Sequence, residues 1–208
     1  FAAGHPAIVA RGDASEPAGT LRLGVPLPPD EGKQRLGLRL HRDEVAHTAA
    51  PPSLAAVAAA SPHPALHALA RDACALAPRV FGSHAWQALT GLAYVGPESD
   101  LDLLWSVEDA VQADAIAALL QGWEARHGLR ADGELVVPGG VAVNWREYAS
   151  AARQLLVKSH HDCRLLPREA LFASPHAPGL SVGGTSVPTG PATKSVGTEV
   201  PPTGENAP

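Results

Sequence analysis

Residues 79–103 constrain the fold of this chain more than any other stretch. Arg79-Val-Phe-Gly-Ser-His-Ala-Trp86 ends an apolar run in a Gly-Ser turn, and Ser99-Asp-Leu-Asp-Leu103 follows it. Glycine lacks the Cβ that would hold a phosphate away from the backbone, and the serine after it supplies a hydroxyl. On a strand, positions i and i+2 face the same way at a rise of about 3.3 Å per residue, so Asp100 and Asp102 project side by side. Leu101, Leu103 and Trp105 then face the opposite way. Two such carboxylates can share a pair of metal ions about 3.5 to 4 Å apart. A solvated strand edge would explain the carboxylates alone and an ordinary strand-to-helix turn the Gly-Ser alone; together they point to phosphoryl or nucleotidyl transfer.

The rest of the composition narrows the partners. With 208 residues and 45% hydrophobic content the chain can bury the core of one large domain or two small ones. It opens on Phe1 rather than Met, so a trimmed or partial N-terminus is expected. A net charge of -5 with no long basic run disfavours nucleic acid as a partner. The apolar stretches, such as Ser53 to Ala60, fall well short of the roughly 18 residues that span a bilayer, so no membrane partner is expected. Cys74 and Cys163 form no Cys-x-x-Cys pair, which favours a reducing, cytoplasmic setting, and both read as small hydrophobes.

Three segments are expected. Residues 1–50 form an N-terminal β unit, with strands at Leu21 to Val25 and Leu36 to Leu40 around a proline-rich loop. Residues 51–173 form the core. Ser53 caps an alanine-rich helix, Pro64 to Ala77 is a second helix, and Arg79 to Phe81 is a short buried strand. Ser83 to Leu89 is helical, and Asp100 to Ser106 is a strand. A helix runs from about Asp109 to His127, where Ile116, Leu119, Leu120 and Trp123 recur at helical spacing. Strands at Glu134 to Val137 and Val141 to Asn144 flank the turn Pro138-Gly-Gly140; a short helix over Trp145 to Ala152, a strand at Gln154 to Lys158 and a helical turn from Pro167 complete the core. From Ser174 onward 13 of 35 residues are glycine or proline and none is aromatic, so residues 174–208 are expected to be a disordered tail.

The order strand, Gly-Ser, helix, Asp-x-Asp strand, helix, acidic strand resembles the nucleotidyltransferase superfamily of the polymerase β type. That resemblance implies an α+β fold, a mixed sheet flanked by helices, here preceded by the small N-terminal β unit. The interval between Ser83 and Asp100, with its extra turn Gly96-Pro-Glu-Ser99, is long for the superfamily. A narrower resemblance accounts for it. Val80 to Tyr94, Ser99 to Leu104, Asp132-Gly-Glu134, Val143 to Glu147, and in the N-terminal unit Leu23 to Pro29 with Gly32-Lys33, are similar to the phosphoribosyl-dephospho-CoA transferases of malonate decarboxylase. It covers roughly residues 20 to 172.

What this resemblance implies is specific. A triphosphoribosyl-dephospho-CoA donor would lose pyrophosphate, and the remaining group would join a serine of the malonate decarboxylase acyl carrier protein, with Mg2+ (or Mn2+) as cofactor. Asp100 and Asp102 would hold the metals, and Gly82 and Ser83 would meet the leaving phosphates, Ser83 also being able to cap the helix it opens. Glu134 is preferred as the third carboxylate, with Asp132 its rival if that strand begins sooner. Lys33, Arg35 and Lys158 are candidate phosphate ligands, although each is more simply read as a solvated surface cation. Arg146 either lines a donor pocket or pairs with Glu147 or another acid. His63-x-x-x-His67 and His160-His-Asp-Cys163 are poor metal sets, and Trp86, Trp105 and Trp123 are core anchors first. Two other functions stay open: adenylylation of a different acceptor, and a noncatalytic domain of the same fold that binds a partner.

Overall fold

The computed structural model describes residues 5–10, 16–32, 34–159 and 162–173; Lys33, His160, His161 and the segment from 174 onward lie outside them. Strands β1 (Ile8–Val9), β2 (Thr20–Pro26) and β3 (Arg35–His41) form a three-stranded antiparallel sheet. The leucine alternation sets its register, with Leu21 opposite Leu40, Leu23 opposite Leu38 and Val25 opposite Leu36.

The main unit alternates helices and strands. Helices α1 (Leu54–Ala59) and α2 (Pro64–Asp72) lead to β4 (Arg79–Phe81), α3 (Gly82–Thr90), β5 (Leu101–Ser106) and α4 (Ala110–His127). Then come β6 (Ala131–Val136), β7 (Ala142–Asn144), α5 (Trp145–Ala149), β8 (Gln154–Lys158) and β9 (Cys163–Pro167). The six strands lie in sequence order, β4-β5-β6-β7-β8-β9. Only β5 and β6 are parallel; every other neighbour is antiparallel. A parallel pair needs a crossover, and α4 supplies it, capped by the Asp109 carboxylate accepting from Gln112 N–H at 2.8 Å. The fold is therefore α+β, a mixed sheet with helices and a separate small sheet before it.

One face of the six-stranded sheet is the core. Leu101, Leu103 and Trp105 of β5 are fully buried together with Ile116, Leu120 and Trp123 of α4. The Trp123 Nε1–H donates to the Ala65 carbonyl at 2.9 Å, which fastens α4 to α2. Among the described residues no helix is long and apolar enough to cross a membrane.

Several local expectations are revised. The helix expected to Ala77 ends at Asp72, and Cys74–Leu76 is a 3-10 turn. Pro78 disfavours right-handed helix at the residue before it, and Ala77 sits at φ 44°. Ser83 does not cap α3: the helix starts at Gly82, with Phe81 in the capping position and no side-chain cap. Strand β6 starts at Ala131, three residues before the expected Glu134, and β9 had no counterpart in the periodicity. Cys74 and Cys163 are exposed rather than buried, on a turn and at the start of a strand.

A second apolar cluster joins the two sheets. Val25 of β2 packs with Trp86 of α3 and with Tyr94, and Tyr94 Oη donates to the Pro26 carbonyl at 3.0 Å. Trp86 lies in the helix that opens at the Gly-Ser turn, so the small sheet is anchored beside that turn. Trp86→Ala should cost about 3 to 5 kcal/mol in urea unfolding, the usual range for emptying an aromatic site. A cost below about 1 kcal/mol would show that the cluster does not hold the sheets together.

Candidate active site

Strand β4 delivers the chain to Gly82 directly beside β5, where Phe81 pairs with Asp102. Gly82 sits at φ 64°, and a Cβ there would lie 1.8 Å from Asp102 Oδ2. Only glycine fits, because both the left-handed backbone and the carboxylate oxygen occupy what a side chain would need. The Gly-Ser turn and the Asp-x-Asp strand are thus in direct contact.

Across the parallel pair, Asp102 lies opposite Asp132 and Leu104 opposite Glu134. All four side chains belong to the sheet face that does not enter the core. Gly133 makes this register possible: at φ 146°, a Cβ there would lie 2.1 Å from the Leu103 carbonyl oxygen. Asp132 Oδ1 accepts from Gly133 N–H and from Asn144 Nδ2, each at 2.8 Å. The Asn144 side-chain oxygen in turn accepts from Arg146 N–H at 2.9 Å and caps α5. Asn144, which in sequence reads as the end of a strand, is therefore a ligand of Asp132.

Glu134 lies one step further along the same face, where Lys158 Nζ donates to its Oε1 at 2.7 Å. The structure pairs these two candidates with each other. Asp100 precedes β5 and forms a 3.5 Å ion pair with Arg130. Arg35 belongs to the small sheet, where a Cβ on Gly24 would lie 3.2 Å from its Cδ. Lys33 falls outside the described residues. Arg146 pairs with an acid other than Glu147, namely Glu124.

Burial raises the Asp102 carboxyl from 3.8 to about 6, with the negative charges of Asp132 and Asp100 adding to the rise. The charges that add to the rise are those of Asp132 across the strand pair and Asp100 two residues earlier. Two carboxylates face each other with a backbone cradle beside one of them, an arrangement short of positive charge. Among the described residues no three His, Cys, Asp or Glu side chains form a ready metal cage. The pair suits Mg2+ in the mode in which one or two carboxylates bind it and substrate phosphates and water complete its shell.

Comparison with known proteins identifies the family. Residues 46–169 match the family model described as "Phosphoribosyl-dephospho-CoA transferase MdcG C-terminal domain", and residues 1–51 match the corresponding N-terminal domain. The chain is 61% identical over 177 residues to a phosphoribosyl-dephospho-CoA transferase of Xanthomonas euvesicatoria pv. vesicatoria, covering 83% of each chain. It is 43% identical over 158 residues to one of Bradyrhizobium diazoefficiens, covering 73% of this chain and 69% of that one. It is 33% identical over 173 residues to one of Pseudomonas putida, covering 80% of each. No solved structure matches.

The raised Asp102 carboxyl has a measurable signature. Its folded value, about 6, lies above the unfolded 3.8, so the metal-free protein loses stability as pH rises between the two. Asp102→Asn, which carries no charge, should therefore raise the thermal midpoint of the metal-free protein at pH 8. That advantage should shrink as pH falls through about 6 and vanish near 3.8. Equal midpoints at pH 8 would remove the electrostatic conflict from the account of this site.

Proposed function

The chain belongs to the phosphoribosyl-dephospho-CoA transferase family, and from that premise we propose which group it moves, from what and to what. The 2'-(5''-phosphoribosyl)-3'-dephospho-CoA group passes from its triphosphate donor to a serine of the malonate decarboxylase acyl carrier protein, with release of pyrophosphate. Donor and acceptor follow from the family, and the observation that supports the phosphoryl-transfer chemistry is the register of Asp102 opposite Asp132 with Gly82 against Asp102.

The residues divide the work as follows. Gly82 and the first turn of α3 bring backbone N–H groups to the leaving phosphates. Asp102 and Asp132 hold Mg2+ (or Mn2+), with Asp100 at the rim of the site. When bound, that ion neutralises the triphosphate and polarises the phosphorus under attack. The serine oxygen forms a new P–O bond at the α-phosphorus, the bond from that phosphorus to pyrophosphate breaks, and the serine proton passes to a carboxylate or to water. Both hydrogen bonds to Asp132 fall on Oδ1, which leaves Oδ2 for the metal or the acceptor proton. Asp132 therefore takes the third-carboxylate role in preference to Glu134, whose charge is matched by Lys158. Lys158, steadied by Glu134, faces the donor from further along the sheet. The setting is cytoplasmic, in keeping with a sequence whose two cysteines form no Cys-x-x-Cys pair.

The deciding assay is intact mass of the carrier subunit after incubation with this protein, Mg2+ and the triphosphate donor. A mass gain equal to the prosthetic group is expected. Asp102→Ala and Asp132→Asn should each lose several kcal/mol of transition-state stabilisation, about a thousand-fold in turnover, and stay folded. Glu134→Gln should lose less than either. Modification by ATP of another acceptor, with no gain from this donor, would replace the proposed substrate. A larger loss in Glu134→Gln than in Asp132→Asn would return the third-carboxylate role to Glu134.

A further inference from the structure

Strand β6 has a gap beside it. Its neighbour β7 pairs only from Asn144, opposite Glu134, because the chain turns into α5 at Trp145. Arg130 gives its carbonyl to Leu101 N–H on the β5 side, so the N–H and C=O of the next residue, Ala131, point toward the side where β7 has already ended. Buried backbone groups left there would be costly.

Side chains occupy the gap instead. Glu124 of α4 accepts from Ala131 N–H at 2.7 Å. The Ala131 carbonyl accepts from Arg146 Nη2 at 2.9 Å and from Trp145 Nε1 at 3.2 Å. Arg146 Nη2 also donates to Glu124 Oε1, and the guanidinium lies over the Trp145 ring at 4.4 Å. The residue immediately before Asp132 is thus fixed by α4 on one side and α5 on the other. Asp132 itself fills the next place in the gap by taking Gly133 N–H.

We infer that Glu124 and Arg146 are positioning residues for Asp132: together they stand in for the missing length of β7 and set where the Asp132 carboxylate projects. The inference rests on the metal-holding role given to Asp132 above. Neither residue touches the reacting atoms. Arg146 Nε is buried without a hydrogen-bond partner, so the guanidinium is oriented toward Glu124 and Ala131 at the expense of one of its own donors. The pair also lines a cleft of about 400 Å3 with Gly128, Leu129 and Arg130, which makes direct contact with the donor the competing role.

The test is Mn2+ binding followed by loss of the free-ion electron paramagnetic resonance signal, with inorganic pyrophosphate present and no turnover. Arg146→Met keeps the stem over Trp145 and removes the donors, and Glu124→Gln keeps an acceptor for Ala131 N–H and removes the charge. Both should weaken Mn2+ binding by about 10- to 100-fold, the usual effect of losing a group that orients a metal ligand, and Arg146→Lys should recover part of that loss. The KM for donor at saturating Mn2+ should stay within about two-fold of the parent. If Arg146→Met does not fold, Glu124→Gln carries the test. Unchanged Mn2+ affinity in the folded variants, alongside a large loss in Asp132→Asn, would overturn the inference and leave the Asp132 role standing. A rise in donor KM with Mn2+ affinity intact would assign Arg146 to the donor cleft instead. Unchanged Mn2+ affinity in Asp132→Asn would overturn the role of Asp132, and the inference with it.

Discussion

Two carboxylates held in register on adjacent parallel strands repel each other, and the arrangement around Asp102 and Asp132 follows from tolerating that repulsion. Burial makes it worse, because a charge removed from water is less screened. The sheet does not relieve the conflict with a lysine or arginine between the two. It places its cations at the margins, Arg130 on Asp100 and Lys158 on Glu134, and leaves the central pair uncompensated. A site so arranged is short of positive charge until something cationic arrives, and that shortage is what a metal-chelated polyphosphate would meet.

Rigidity behind the pair makes the conflict sustainable. Leu101, Leu103 and Trp105 are fully buried against α4 on the opposite face, so β5 cannot rotate to move Asp102 toward water without emptying the core. Two glycines complete the constraint from the front. A side chain at position 82 would collide with the Asp102 carboxylate, and one at 133 with the Leu103 carbonyl. The small sheet is tied to the same place through Trp86, which links the N-terminal unit to the helix opening at the Gly-Ser turn.

Much of this was legible in the sequence because it follows from periodicity and from backbone rules. The alternation of Leu101, Leu103 and Trp105 with Asp100 and Asp102 gave the two faces of β5, and the spacing of Ile116, Leu120 and Trp123 gave the inner face of α4. The start of β6 was not legible. Gly133 reads as an interruption between Asp132 and Glu134, whereas it is the residue that lets β6 run close to β5, in the register that sets Asp132 rather than Glu134 opposite Asp102. The sequence leaves Arg146 between a donor pocket and an ion pair with an acid, and it does not single out Glu124. Their role depends on where β7 stops, which no local pattern encodes. Asn144 was hidden for the same reason, since its two partners, Asp132 and Arg146 N–H, converge only in three dimensions.

The strand order also sets how late the site can assemble. The hairpins β2–β3, β6–β7 and β8–β9 join residues close in sequence, so they close with little loss of chain entropy. The β5–β6 contact joins Leu101 to Ala131, thirty positions later, and must wait for α4 to form and dock. Asp102 and Asp132 meet only through that long-range contact. A nascent or partly unfolded chain, however many of its hairpins are in place, therefore presents Asp102 and Asp132 as two separate carboxylates, and the pair exists only once the central crossover is complete.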